Sequence, residues 1–325
     1  MLADSATLGP FLTLLVLFVL FSLFIPKFLS WRSVSGIVNA ATPIGIVTIG
    51  VTLLMICGEF DLSVGSLVAL GGYVFAMLLL AGAPPALAAL LAVALPALFG
   101  LLNGLLLVWT GIPSFIVTLG TRSIYRGIVW LFSGGTLIQM LERPAVLALF
   151  NGRLDVLNEL LPKGANFRTS LIWFLLAVLV FQYLLTRTTF GNHIFAAGGN
   201  AQAAAAQGVN VSRVKVISFA FSGALAGLTG ILLFSQFRTV RVTTGAGMEL
   251  SAIAAAVVGG TALNGGVGSI WGALIGVLLI SMLRTGVILM DIPFIPADNF
   301  EAVVGATIVG AAVLNTWLGQ GRAKR

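Results

Sequence analysis

Residues 188–211 read Thr188-Thr-Phe-Gly-Asn-His-Ile-Phe-Ala-Ala-Gly198-Gly-Asn200-Ala-Gln-Ala-Ala-Ala-Ala-Gln-Gly208-Val-Asn-Val211, the longest weakly hydrophobic stretch that is still built to fold. Asn200 is a good N-cap, Ala201 to Gln207 are nearly all strong helix formers, and Gly208 can take the left-handed conformation that stops a helix. The signals predict a helix of about two turns, too short to cross a bilayer. Apolar runs long enough to cross one lie on both sides. The stretch is therefore a compact piece held at a membrane surface and tied to two membrane helices, the form a mechanical coupling element takes. An ordinary alanine-rich loop helix is the plainer reading of the same residues.

Working outward, the chain of 325 residues is 59% hydrophobic and 8% charged. Soluble domains carry about 25% charged residues, so this is an integral membrane protein. The 39 glycines suit close helix packing in lipid. The formal net charge of +7 is scattered, with no basic stripe, which points to anionic headgroups rather than nucleic acid. The single cysteine, Cys57, excludes an intrachain disulfide. The first apolar run lacks the basic flank of a signal peptide and reads as a retained helix.

A hydrocarbon core needs about 20 apolar residues per helix. About ten spans are predicted on that basis, at roughly 8–28, 34–57, 64–80, 85–109, 112–131, 170–185, 214–237, 270–290 and 300–318, with 248–259 as a short or re-entrant helix. Residues 133–169 form a long polar connection, whose apolar segments 145–150 and 156–161 are expected as short surface helices. Val64-Gly-Ser66 and Val267-Gly-Ser269 each stand at the entry to a span. If the 188–213 loop and both termini share one side, that side holds Arg187, Arg213, Lys215, Arg322, Lys324 and Arg325. The other side then holds Lys27, Arg32, Arg143, Arg153, Lys163, Arg168, Arg238 and Arg241. Charge alone does not settle the orientation.

No catalytic constellation is present in the sequence. There is one histidine, His193, no paired His or Cys spacing for a metal, and no phosphate-binding Gly-x-x-x-x-Gly-Lys-Ser/Thr loop. Arg122 and Arg126, four apart, share one face of the fifth span. That face either points to the protein interior or a polar path, or the helix breaks and the arginines snorkel to headgroups. Glu59 and Asp61 are expected to cap the start of the third span. Membrane enzyme is the weakest class; an ion-coupled secondary transporter and a passive channel stand as rivals to an energised transporter.

Several of these segments carry a family resemblance. Gly58-Glu-Phe-Asp-Leu-Ser-Val-Gly-Ser66, Ile112-Pro-Ser-Phe-Ile-Val-Thr-Leu-Gly120 with Arg126-Gly127, Gly198-Gly-Asn200 with Ala203-Ala204 and Gly208-Val209-Asn210, Ser222-Gly-Ala-Leu-Ala-Gly227, and Gly259-Gly-Thr261 with Gly265-Gly266 and Gly268-Ser269 resemble the permease subunits of bacterial ABC importers for ribose, xylose and related monosaccharides. The matches keep order and spacing from about residue 34 to 318.

The resemblance implies an all-α polytopic membrane protein of about ten transmembrane helices with the type II ABC importer permease fold, a single transmembrane domain over residues 1–325. It implies a multi-pass protein of the bacterial cytoplasmic membrane with both termini inside, working with a second permease copy (a homodimer, or a heterodimer). Its other partners are a cytosolic ABC ATPase, a periplasmic or lipid-anchored sugar-binding protein and membrane lipid. ATP and Mg fall to the ATPase, so this chain holds no cofactor and no metal. Residues 188–213 become the cytoplasmic coupling loop, with Gly198, Gly199, Asn200, Ala201, Gln202, Ala203, Ala204, Gly208 and Val209 as the coupling helix and its flanks. Residues 133–169 become the outer loop, and Arg143, Arg153, Arg168, Arg238 and Arg241 candidates for docking the binding protein. Family members often carry Glu and Arg where this chain has Gln202 and Ala205, and a glycine where it has Glu59. For a neutral, hydroxyl-rich solute, Asn103, Ser114, Phe115, Thr118 and Asn264 are candidate path residues.

Overall fold

The core is organised around one long helix, α11 (Val211–Phe237), which buries Ser218, Ser222, Gly223, Gly227, Thr229 and Gly230 along its length. Small residues allow backbones to approach, which in lipid replaces the hydrophobic drive between helices. A Cβ on Gly71 would lie 2.7 Å from the Cα of Gly227, so no larger residue fits at that crossing. The buried hydroxyls of Ser218 and Thr229 return to carbonyls one turn back, Val214 and Leu225, both at 2.9 Å. They cost no unsatisfied donor.

A computed structural model describes residues 5–290 together with residues 302 and 305. The expected tenth span, 300–318, and the basic tail lie outside the described residues. The elements run α1 (Ser5–Phe24), α2 (Trp31–Ile56), α3 (Val64–Leu80), α4 (Pro85–Thr110), α5 (Ser114–Ser133), β1 (Ile138–Gln139), α6 (Ala145–Asn151), α7 (Asp155–Leu160), α8 (Ser170–Arg187), α9 (Thr189–Gly199), α10 (Ala201–Ala206), α11, β2 (Thr239–Val240), α12 (Met248–Val258) and α13 (Ile270–Met290). Helices α2, α3 and α4 close around α11, α13 and α12 pack on α2, and α1 lies outside against α13. Among the described residues, five helices are long and apolar enough to cross a membrane, and three shorter apolar ones accompany them. The protein is a polytopic helical membrane protein.

The two ends of α2 define two ends of the molecule. Near its start, Asn39 Nδ2 donates to the Asn166 carbonyl at 2.7 Å and the Asn166 N–H donates to Ser35 Oγ at 3.2 Å, which brings the 133–169 connection there. At its finish, the Ile56 carbonyl accepts from Gly266 N–H at 2.8 Å, beside Gly198. A helix of 26 residues is about 39 Å long, so these two groups of loops stand a membrane apart.

Segments 145–150 and 156–161 are helical as expected, as α6 and α7. One feature goes beyond the sequence reading: a two-residue antiparallel pairing, Ile138 with Val240 and Gln139 with Thr239, ties the 133–169 connection to the end of α11. The short helix expected at 248–259 is α12, a half-helix: 11 residues span about 16 Å, half a hydrocarbon core, and the preceding residues 241–247 reach its start without helix.

Candidate functional site

The segment 188–211 folds as two helices, where the sequence signals predicted one. Asn200 Oδ1 accepts from Ala203 N–H at 3.0 Å and opens α10, which ends as Gly208 turns with φ +86°. Before it stands α9, capped by Thr188 Oγ1 accepting from Gly191 N–H at 3.1 Å. Its glycines and Asn192 hid it from propensity, whereas the buried Gly191, Ile194 and Ala197 fix it by packing. In α10 only Ala204 is buried; Ala201, Gln202, Ala203, Ala205 and, beyond it, Gly208 are exposed, with Val209 half-buried.

Gly198 makes this element part of the core. A Cβ there would collide with the Ile56 carbonyl, and a Cβ on Gly265 would lie 2.8 Å from the Gly198 carbonyl and 2.9 Å from the Gly58 Cα. Gly266 would meet the Gly199 Cα at 2.8 Å. Three backbone segments thus meet without side chains between them: the α9–α10 corner, the end of α2, and the 259–269 turn that leads to α13. Gly199 itself faces open space. Beside this joint Lys215 of α11 forms an ion pair with Glu59, whose side chain is only 9% exposed.

Residues 57–63 link α2 to α3 without helix, and a buried polar network holds them. Asp61 Oδ1 accepts from Ser63 N–H at 2.9 Å and Ser63 Oγ at 2.6 Å, and Asp61 Oδ2 accepts from Ser222 Oγ at 3.2 Å. Asn103 donates to Ser63 Oγ at 2.9 Å and accepts from the Tyr125 hydroxyl at 2.7 Å. Thr118 Oγ1 accepts from Leu62 N–H at 3.1 Å, and Ser114 Oγ from Phe60 N–H at 3.0 Å. The expected capping role of Glu59 and Asp61 is corrected: Ser63 occupies the N-cap position of α3 without a side-chain bond, Glu59 is paired with Lys215, and Asp61 is the hub of the network. Satisfied networks of this kind rigidify, because leaving any one group unpaired costs about 1–3 kcal/mol.

The five candidate path residues fall into two groups. Asn103, Ser114 and Thr118 are buried and spend their polar groups on the 57–63 link. Phe115 is 54% exposed on the outer face of α5, and Asn264 is exposed in the turn beside Gly198. Helix α5 is unbroken through both arginines, so the snorkelling alternative is set aside. Arg122 pairs with Glu249 at 2.8 Å, and Arg126 donates to the Val242 carbonyl and, at 3.3 Å, to Ser66 Oγ.

At the opposite end, Arg143, Arg153, Arg168 and Arg238 line one surface cleft of about 400 Å³ with Asn151, Ser235 and Gln236. Arg168 donates to the Asn151 carbonyl at 3.2 Å and Arg238 to the Leu141 carbonyl at 3.1 Å, so both guanidinium groups are anchored by backbone. Arg153 has the exposed Asp155 at 3.4 Å. Arg241 is exposed and lies outside the cleft, after β2.

A polytopic bundle with a half-helix, a non-helical link at its core and a structured loop locked to two spans has the build of a transport protein. The chain belongs to the family described as the permease component of the branched-chain amino acid transport system, whose profile matches residues 33–312. It is similar to the ribose import permease protein RbsC of Bacillus subtilis (strain 168), 35% identical over 307 residues, covering 94% of this chain and 91% of that one. The probable ABC transporter permease protein YphD of Escherichia coli (strain K12) is 37% identical over 307 residues, 94% of this chain and 88% of that protein. The autoinducer 2 import system permease protein LsrC of Photorhabdus luminescens is 32% identical over 295 residues, 90% and 85% of the two chains. No solved structure matches. Two of these relatives are named as import permeases and the third as a probable ABC transporter permease; permease subunits are not themselves enzymes.

Proposed function

We propose that the chain is the membrane subunit of an ATP-driven, binding-protein-dependent importer of a monosaccharide or related polyol. The glycine joint carries this reading: with Gly198 against the Ile56 carbonyl, a push on α10 has no compressible side chain to absorb it before it reaches α2 and the 259–269 turn. The exposed residues of α10, Ala201, Gln202, Ala203 and Ala205, are the surface a cytosolic ATPase would seat against, by shape and backbone more than by ion pairs. ATP and Mg belong to that partner.

The joint then faces the cytosol together with both termini, and the 133–169 connection faces outward. There the arginine cleft suits carboxylates of a sugar-binding protein, at a rim where electrostatics sets capture. A second permease copy, as a homodimer, would cover the exposed apolar face of α5 that carries Phe115, Ile116 and Leu119. Ribose and autoinducer 2, the solutes in the relatives' names, are small and rich in oxygen, which favours a hydroxyl-bearing solute over a branched-chain amino acid. The test is reconstitution in liposomes with the candidate ATPase and binding protein, scoring ATP hydrolysis against pentoses, hexoses and polyols. Stimulation by one sugar supports the assignment; sugar flux that needs no nucleotide overturns it.

A further inference from the structure

Residues 241–247 pose a physical problem that the importer reading leaves open. They descend from β2, at the end of the molecule that holds the 133–169 connection, to Glu249, which is fully buried at the start of α12. Glu249 meets Arg122, which lies about 17 Å along α5 from the helix end at Ser133. Val240 packs on Gly72 and Gly245 on Gly65, seven residues apart along α3, so the stretch covers about 10 Å of membrane depth without helix, and Arg241, Thr243 and Ala246 along it are exposed. Non-helical backbone cannot face hydrocarbon, since each unsatisfied amide costs several kcal/mol there. It is tolerated only inside protein or against water.

Two arginines on one face of α5 hold this stretch. Arg126 binds the Val242 carbonyl and Ser66 Oγ, and Arg122 forms its ion pair with Glu249, whose side chain is 1% exposed while that of Arg122 is 37% exposed. Gly65, at the start of α3, has no room for a Cβ because the Gly245 carbonyl and the Glu249 carboxylate press on it. Charges at membrane depth are costly, and a buried ion pair often stabilises no more than an apolar pair of equal volume. Stability alone does not explain them.

We propose that residues 241–247 form a water-facing wall of the translocation path, and that Arg122 is a positioning residue that latches this wall to α5 through Glu249. Helix α5 packs on α3 and α4, whereas α12 packs on α13, α2 and α3. The two arginines bridge these groups across the N-terminus of α3. Movement of the α12–α13 turn at the glycine joint is then passed to α5 by an ion pair that slides and re-forms, as an apolar contact would not. The latch rests on the importer reading for its role in transport, but the water-facing wall stands apart from it.

The test has two arms, both on the full-length chain. In the first, Thr243→Cys and Ala246→Cys are treated in liposomes with a charged, membrane-impermeant thiol reagent, with Leu179→Cys on the exposed face of α8 as the lipid-facing control. The native Cys57 is buried. The wall predicts reaction of both at least about tenfold faster than the control, and a further rise of about tenfold when Arg122→Met and Glu249→Met are combined, because local opening is freed. Rates equal to the control, or unchanged by the double substitution, overturn the proposal. In the second arm, the reconstituted complex is scored for sugar imported per ATP hydrolysed. The paired Met variant removes both members of the ion pair together, and Arg126 keeps the Val242 carbonyl and Ser66 Oγ, so it is expected to assemble and to hydrolyse ATP while importing about tenfold less sugar per ATP; Arg122→Lys with Glu249 intact should keep much of the wild-type ratio. A paired Met variant with the wild-type ratio overturns the latch. A wild-type complex that shows no ATP-dependent import refutes the importer reading, and the thiol arm still decides the wall.

Discussion

The two ends of the molecule are built on opposite principles. Around Gly198 the chain meets itself backbone to backbone, with Ile56, Gly58, Gly265 and Gly266 in direct contact and one ion pair, Lys215 with Glu59, beside them. Around Arg143, Arg153, Arg168 and Arg238 it leaves a cleft of about 400 Å³ rimmed by cations. The first arrangement cannot yield without breaking the fold, and the second can change its occupant without moving the backbone. On the proposed function, the contrast separates transmission of force from capture of a partner, and each side can be broken alone.

The largest effect is expected at Gly198. Gly198→Leu places side-chain atoms on the Ile56 carbonyl and should cost about 3 kcal/mol or more, read as loss of folded protein in detergent. Lys215→Met should follow at about 1–3 kcal/mol, because Glu59 stays buried without its cation; adding Glu59→Gln should recover part of that in the same melting assay. At the other end, changing Arg143 and Arg153 together to Gln should leave melting within about 0.5 kcal/mol of wild type, since the guanidinium groups anchored on backbone are those of Arg168 and Arg238. The same variant should bind the external sugar-binding protein about tenfold more weakly and with a flatter salt dependence. Asn200→Ala should cost about 1 kcal/mol, seen as faster amide exchange confined to α10. If the arginine variant melts early, or Gly198→Leu does not, the division between the two ends fails.

The spans were readable where apolar length alone decides: 64–80 is helical over those residues because polar or turn residues stop it on both sides. The cap at Asn200 and the stop at Gly208 were readable too, since both act within one turn. What stayed hidden was pairing at a distance. Nothing local to Glu59 points to Lys215, nor anything near Arg122 to Glu249, and one sequence carries no signal that joins them. Asn103, Ser114 and Thr118 were singled out as polar residues in apolar spans, a correct reading of their cost. The structure shows their groups directed at the 57–63 link, whose backbone amides at Phe60 and Leu62 no helix supplies with partners.

Gly199 offers the most direct test of the central claim that α10 delivers force to the membrane helices. Its backbone belongs to the joint, but a Cβ on it would face open space, so Gly199→Trp alters the exposed surface of the α9–α10 corner without placing atoms in the core. The decisive measurement is ATP-dependent sugar uptake by the reconstituted complex carrying that one substitution, with melting temperature measured on the same preparation. The account predicts unchanged melting and uptake reduced to the level seen without ATP. Wild-type uptake in that variant, or uptake by either protein that proceeds without nucleotide, would contradict it.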